Sequence, residues 1–428
     1  YWGQKARPQK LVFRWNPDAA WRLRELQAGN ADAVDGVSPD DYPAIQSAEG
    51  LIIKPRPNLD IFYIGMNNTA PPFDNERVRQ AIALAVDRRS IVEKYFPLYS
   101  AVADYFSPCE IPWSCQGESW YSYDPGRARA LLAEAGFPNG FAAQLVYRNV
   151  ARSYLIQPYA VAKEIQAQLQ ANLGVTLELV GMESDVFLAS LDAGALKGLY
   201  LMGLTANYPD PSYLLDFHFG SETGLQFGNP SPELAKLIKA GSATADGAVR
   251  QAIYREVNNW LHQHVPLLPV AHSASLILYQ KTVQNAHASP VNAEIFAVME
   301  NGKNTFVWME AQEPFSLYCA DETDVSAQRA CAQVTESLYR YSLASAAVEP
   351  GLASQCTASP DLREWTCSLR SGIKFHDGSK LDANDVVVSF KAQWLSGDSL
   401  HRGRSGEFIP FNSFFGTFLP DWAVQYNY

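Results

Sequence analysis

His376 and Asp377 stand side by side in "FHDG", with Asp382 and Asp385 a few residues on. A His beside an Asp is the raw material of general-base chemistry, in which a carboxylate orients the imidazole and a nucleophile completes the set. The neighbouring sequence supplies no such nucleophile. Asp-Gly is a turn dipeptide, because Gly takes up positive φ without steric cost. Asp382 then reads as the N-cap of a helix over "ANDVVVSFKAQW", with Asp385 favouring the same end. The pair is therefore read as a turn. His262 and His264 sit two apart near a helix end, where a surface or packing role fits better than metal ligation. There is no GxGxxG after a strand, no Walker-type phosphate loop, no GxSxG and no HExxH. No catalytic residue, metal or cofactor is expected, and the chain is read as a non-enzyme.

The six cysteines fall into close pairs, Cys109 with Cys115, Cys319 with Cys331 and Cys356 with Cys367. None forms a CxxC, and no two pairs have zinc-finger spacing. Three short disulfide loops imply an oxidising, extracytoplasmic compartment. Buried free thiols are the alternative. "NNT" (67–69) fits the glycosylation pattern. Tyr1 is not an initiator and no signal-like apolar stretch follows it, so a processed product or a slice of something longer is expected.

Composition narrows the partners. The 428 residues are 47% apolar, 18% charged and carry a net charge of −11. Nucleic acid and anionic membrane surfaces are themselves negative and are disfavoured. Apolar runs such as "AIALAV" (81–86) fall far short of the ~18 residues of a membrane span. Aromatics reach 12%, enough for a large core or for a ligand cleft lined with rings.

The elements that would carry a site alternate. "KLVFRWN" (10–16), "LDIFYIGMNN" (59–68), "AAQLVY" (142–147), "VTLELVGM" (175–182) and "GLYLMGL" (198–204) read as strands. Helices are expected over 73–96 with Asp74 or Asn75 as N-cap, from Pro125 to Gly136, over 155–172, over 183–194 and near 247–263. After a turn or linker at "NGKNT" (301–305) come a strand in "FVWMEAQEP", a helix over 326–341 and a strand over 364–375. This mixture indicates α/β layers.

Several blocks carry a family resemblance: "PPFDNERVRQAIALAVDRRSIVEKYF" (71–96), "YDPGRARALLAEAGFPNGF" (123–141), "ANYPDPSYLLDFHFG" (206–220), "VEPGLA" (348–353), "LRSGIKFHDGSKLDANDVVVSF" (369–390) and "RELQAGNADAVDGVSPDD" (24–41). The chain resembles the extracytoplasmic solute-binding proteins of ABC transporters, in the oligopeptide/dipeptide/nickel-binding family. The resemblance implies an α/β, two-lobed periplasmic-binding-protein-like fold of the large peptide-binding class. It implies hinge closure around a peptide or similar polar solute, delivery to an ABC permease, and a place in the periplasm or at the cell surface. On that pattern 1–64 and 273–335 contribute to lobe I, 65–272 forms a C-terminal-type lobe, and 336–428 is an N-terminal-type lobe I/II segment. The block order is rotated relative to the family, with the join near 301–305, and a family segment between 414–420 and 1–3 is missing. A slice of a tandem protein, a circular permutation with a deletion, and an order differing from the gene's would each produce this. Head-to-tail self-association would follow if a neighbouring chain supplied the missing strands.

Peptide-binding members of the family pair the ligand ammonium with an Asp and place a Trp shortly before it. Asn207 and Leu204 stand at those positions here, which leaves blocked peptides, sugars or other metabolites open as ligands. Arg152 falls where dipeptide binders hold the ligand carboxylate, a task suited to a bidentate guanidinium. Tyr208, Asp210 and Tyr213 are further cleft candidates, and Tyr318 on "EPFSLYCADETD" is a candidate from the opposite lobe. Reuse of the fold in a surface or structural assembly protein is the alternative from another functional class.

Overall fold

The structure, a computed structural model, describes residues 3, 5–221 and 223–415. Tyr1, Trp2 and the part of "FFGTFLP" from Gly416 onward lie outside the described residues. The chain divides into two compact units. The first comprises 1–56, 276–359 and 363–428, and the second 57–275 with 360–362.

The first unit opens with β1 (Lys10–Trp15), α1 (Ala19–Gln27), β2 (Ala33–Asp35), α2 (Tyr42–Gln46) and β3 (Leu51–Pro57). Asp18 starts α1 by accepting from Trp21 N at 3.0 Å, and Leu23 and Leu26 turn inward to pack with Val34 and Ile45.

The second unit runs through β4 (Asp60–Met66), α3 (Glu76–Ala85), α4 (Arg88–Tyr95), β5 (Ala101–Val102), α5 (Pro125–Glu134), β6 (Ala142–Arg148), α6 (Pro158–Leu173), β7 (Thr176–Met182), α7 (Ser184–Asp192), β8 (Leu199–Thr205), α8 (Pro211–Phe219), α9 (Pro232–Ser242), α10 (Gly247–His264) and β9 (Leu267–His272). Its sheet has the order β5-β9-β4-β8-β6-β7. All seven residues of β4 are buried, as suits a strand in the middle of a sheet covered on both faces. β6 lies parallel to both β7 and β8, so their C-terminal ends share one edge of the sheet. The helix expected over 73–96 is two helices. Val86 leaves helical geometry, and Asp87 caps α4 by accepting from Ser90 N at 3.0 Å. Asn75, rather than Asp74, caps α3.

The chain returns to the first unit with β10 (Ala274–Gln280), β11 (Thr305–Glu310), α11 (Val325–Cys331), β12 (Tyr339–Tyr341), β13 (Val348–Pro350), β14 (Ala353–Ala358), β15 (Trp365–Leu369), α12 (Ala383–Trp394) and α13 (Ile409–Phe415). The sheet order is β1-β11-β2-β10-β3, with β11 parallel to β1 from Lys10↔Thr305 to Trp15↔Glu310. The strand after the 301–305 turn is thus an interior strand of this sheet. The helix expected over 326–341 stops at Cys331, where the bonding shortens to three residues: Gln333 N bonds to Ala330 O at 3.1 Å and Val334 N to Cys331 O at 3.0 Å, tightening the last turn. The strand expected over 364–375 ends at Leu369, where the hairpin with β14 ends.

Beside the apolar core of Phe296, Phe306 and Trp308 lies a buried charge cluster. Arg329, 1% exposed, donates to Glu294 at 2.8 Å, Asp35 at 2.7 Å and Glu310 at 2.5 Å, and lies 4.9 Å from the Trp308 ring centre. Arg56 pairs with Asp35 at 2.9 Å and Glu294 at 2.7 Å. Burial opposes ionisation of all three carboxylates. The two guanidiniums more than offset it at Asp35 and Glu294, whose pKa values are lowered, but not at Glu310, whose pKa is raised.

All three expected cysteine pairs are disulfides, with Cα–Cα distances of 5.2, 5.5 and 4.0 Å. "FHDG" is a turn: Gly378 has φ +90°, and Asp377 accepts from Ser379 N at 2.9 Å and Oγ at 2.7 Å. Asp382 caps α12, and Asp385 accepts from Asp382 N at 2.7 Å to close a capping box. Asn67 of the glycosylation pattern is 1% exposed and donates to Gly194 O at 3.0 Å, so the folded chain hides it.

Candidate functional site

The strongest convergence of functional side chains lies in the second unit, where β6 and β7 end and β8 gives way to a loop. Arg148 is the last residue of β6, in register with Met182 at the end of β7. It is 8% exposed and donates to Ser184 Oγ at 3.2 Å and to the Tyr154 hydroxyl. Its guanidinium also lies 5.8 Å from the centre of the buried Phe187 ring. Arg152 comes next in a tight loop closed by two backbone bonds with Leu155, each 3.0 Å, and donates to the same Ser184 Oγ at 3.3 Å. Ser184 is the first residue of α7, whose N-cap Glu183 makes no side-chain cap, so the helix presents open amides at this end. Gly203 on β8 makes room for Tyr154, since a Cβ there would overlap the tyrosine ring.

The loop after β8 adjoins this group. Ser153 Oγ lies 3.4 Å from Thr205 Oγ1, two residues before Asn207. Asn207 is exposed and uncharged, and Leu204 is half-buried in β8 opposite Ile61. Tyr208 and Tyr213 meet edge to face with ring centres 4.9 Å apart, and burial pushes both phenols up. Asp210 has a structural commitment. It caps α8 through Ser212 N at 3.0 Å and Ser212 Oγ at 2.7 Å, and pairs with Arg250 at 2.7 Å. Arg250 in turn lies 4.7 Å from the Trp113 ring centre and 5.4 Å from that of Tyr254.

Beneath this loop, Asp60 opens β4 opposite Thr205. It is fully buried, accepts from Ser273 N at 2.8 Å and from Ser273 Oγ, and is pushed up to about 6 by burial. Tyr318 belongs to the first unit, where its hydroxyl donates to Leu400 O at 2.8 Å and its ring meets Phe408. There Asp321 accepts from Ser405 N and Oγ at 2.7 Å each, Gly406 N at 2.8 Å and Phe408 N at 2.9 Å. Burial opposes its charge, but these bonds outweigh it and hold the carboxyl down at about 2.

The structure therefore brings Arg152 into one group with Arg148, Tyr154 and Ser184, next to the Asn207 loop. It places Tyr208, Asp210 and Tyr213 in a corner with Arg250. Sequence reading missed Arg148, although an arginine ending the apolar run "LVYR", four residues before a second arginine, was a visible signal. The group offers hydrogen-bond donors and positive charge, which suits recognition of an anionic or polar ligand. His262 stacks on Tyr121 at 4.4 Å and pairs with Glu118, and His264 pairs with Glu76. Among the described residues no group of three His, Cys, Asp or Glu side chains is placed to hold a metal, and no helix is long and apolar enough to cross a membrane.

Comparison with known proteins agrees with the sequence blocks. The chain is 29% identical over 307 residues to Di/tripeptide-binding protein 3 of Pseudomonas aeruginosa, covering 70% of this chain and 57% of the relative. It is 29% identical over 310 residues to Heme-binding protein A of Haemophilus influenzae, covering 71% and 56%. Among solved structures, HbpA2 from Haemophilus parasuis matches with a TM-score of 0.60 and 28% identity, over 64% of this chain and 55% of that one. The chain thus spans little more than half the length of these relatives. The family model described as bacterial extracellular solute-binding proteins, family 5 Middle, matches residues 1–226 and 347–406. Those two blocks make up well over half of the sequence, and the chain belongs to the family 5 bacterial extracellular solute-binding proteins.

Proposed function

We propose that this chain is the ligand-recognising part of an extracytoplasmic receptor for a peptide or similar polar solute, which it delivers to an ABC permease by hinge closure. Family 5 membership supports the class of function, and the three disulfides fit an oxidising compartment outside the cytoplasm. The observation that carries the reading is the donor group of Arg148, Arg152 and Ser184 beside the Asn207 loop. Hydrogen bonds from such groups fix the orientation of a small polar ligand in a site of this kind. Relatives named for di- and tripeptides and for heme show that the family accommodates different ligands, so the solute is set by this chain's own side chains.

The test is a thermal-shift panel of di- and tripeptides, N-blocked peptides, oligosaccharides and porphyrins. A ligand at a hundred times its Kd stabilises the folded state by about 2.7 kcal/mol, enough to move the melting temperature by several degrees. A receptor gives such a shift with at least one class. A flat response across the panel, with concentration-dependent polymerisation, would replace this reading with assembly through the fold.

A further inference from the structure

Asp210, the cap of α8, is held from outside the loop it belongs to. One carboxylate oxygen, Oδ1, accepts from Ser212 N at 3.0 Å, Ser212 Oγ at 2.7 Å and Arg250 Nη2 at 2.7 Å. The Ser212 amide lies in the first turn of a helix, where no intrahelical carbonyl is in reach, so this side-chain bond is its protection. Whatever fixes the Asp210 rotamer therefore fixes the start of α8 and the loop before it, which carries Asn207 and the Tyr208–Tyr213 ring pair.

Arg250 supplies that restraint, and its own placement is set from two sides. It donates to Gly241 O at 3.0 Å and to the Tyr254 hydroxyl at 3.2 Å, and its guanidinium lies 4.7 Å from the Trp113 ring centre. Trp113 comes from a separate loop, 107–118, closed by the Cys109–Cys115 disulfide. Its φ of +67° is in the left-handed region, which a bulky residue keeps only where its surroundings over-determine it. Those surroundings are the disulfide and α10. Asn258, 5% exposed, donates to Ser114 O at 2.7 Å and Gln116 O at 2.8 Å, and Asn259 accepts from Glu118 N at 2.8 Å. Arg250, Asn258 and Asn259 all belong to α10, so one helix registers the disulfide loop against the start of α8.

We propose that the Cys109–Cys115 loop is a remote clamp on the solute loop: Trp113 holds Arg250, Arg250 holds Asp210, and Asp210 sets residues 206–213. Trp113 and Arg250 are positioning residues that act through Asp210. The clamp rests on the receptor reading for its use and adds to it a control point away from the candidate ligand contacts.

Amide hydrogen exchange on the whole chain, without ligand, tests the clamp. Trp113→Ala speeds exchange at Ser212 by roughly tenfold, the scale of a lost cation–π contact. The amides of Ile64 and Leu201, in the paired strands β4 and β8, report global stability and stay unchanged. Trp113→Tyr retains a ring face and restores protection. Arg250→Met loosens Ser212 at least as much, and Arg250→Lys does so part-way. Replacing Cys109 and Cys115 together by Ser gives the same rise, and adding Trp113→Ala to it gives no more, because both act on one contact. A Ser212 rate unchanged in Trp113→Ala or in the double cysteine variant, or a rise matched at Ile64 and Leu201, overturns the clamp and leaves the receptor reading standing. In the thermal-shift panel, any class that stabilises the wild type stabilises Trp113→Ala less, and equal shifts in both overturn the clamp. A flat panel for the wild type removes the receptor reading instead, and the exchange rates still decide the clamp.

Discussion

Replacing Arg329 by Met removes the cation that three buried carboxylates share while keeping an apolar stem of similar reach. In the native chain two guanidiniums face Asp35, Glu294 and Glu310. The variant leaves Arg56 alone against all three, with Glu310 stripped of its ion-pair partner. Breaking a buried pair from one side costs about 3–5 kcal/mol, because the remaining charges stay desolvated without compensation. For a unit of this size that corresponds to a fall of roughly 6–20 °C in the melting temperature. Calorimetric melts of wild type and variant at neutral pH measure it. Glu310→Gln is the partner mutation. It removes one excess negative charge, so the double variant should regain part of the loss and show a coupling energy. A drop below about 1 kcal/mol, or strict additivity of the two substitutions, would refute the account of Arg329 as the hub of this cluster.

Asp60→Asn should flatten the acid limb of the stability curve. Its folded pKa is raised from 3.8 to about 6, so the native state holds the extra proton and stability falls as pH rises from ~4 to ~6, by about 3 kcal/mol in all. Urea titrations across that range check it, and a slope unchanged in the variant sinks the idea. Asp321 behaves oppositely. Its carboxyl is lowered to about 2, so its contribution is present above ~4 and lost as pH falls through ~2, and Asp321→Asn should cost roughly 2 kcal/mol at neutral pH. Denaturation at pH 7 and pH 3 should show the cost shrinking at the lower pH. Replacing Cys319 and Cys331 together by Ser opens the loop beside Asp321 and should destabilise by about 2–3 kcal/mol, read as a lower urea midpoint.

Local features were legible in the sequence wherever a few adjacent residues decide them. Asp382 with Asp385 announces a helix start, Asp377-Gly378 a turn, and the cysteine spacings the three bridges. The break at Val86–Asp87 was hidden because "AIALAVDRRSIV" keeps a helical apolar pattern through the cap residue. The helix expected over 326–341 was over-extended because the shift to three-residue bonds at Gln333 and Val334 leaves no mark in periodicity. At the candidate site, Arg152 was found through a family block. Arg148 was passed over although it ends an apolar run four residues before Arg152, because Tyr154 and Ser184 gather around it only in the fold. The same holds for Arg329, which looks like an ordinary helical arginine until residues 35, 294 and 310 come together around it.

The order in which the two units are threaded has a consequence for how the chain is made. The second unit is essentially one uninterrupted stretch, residues 57–275, whereas the first is assembled from segments on either side of it. As the polypeptide leaves the ribosome, the six-stranded sheet has all its strands once β9 emerges, and it can condense while translation continues. The pairings that residues 1–56 make in this structure need residues 274–329. Their Asp35 and Arg56 remain hydrated until Glu294, Glu310 and Arg329 have been synthesised, and β1 and β2 have no strand between them until β11 arrives. Contacts closing over nearly three hundred residues are slow to form. Among residues 1–428 the first unit therefore closes after the second, and a chain of residues 1–293 should hold a protease-resistant insert flanked by a cleavable N-terminal segment.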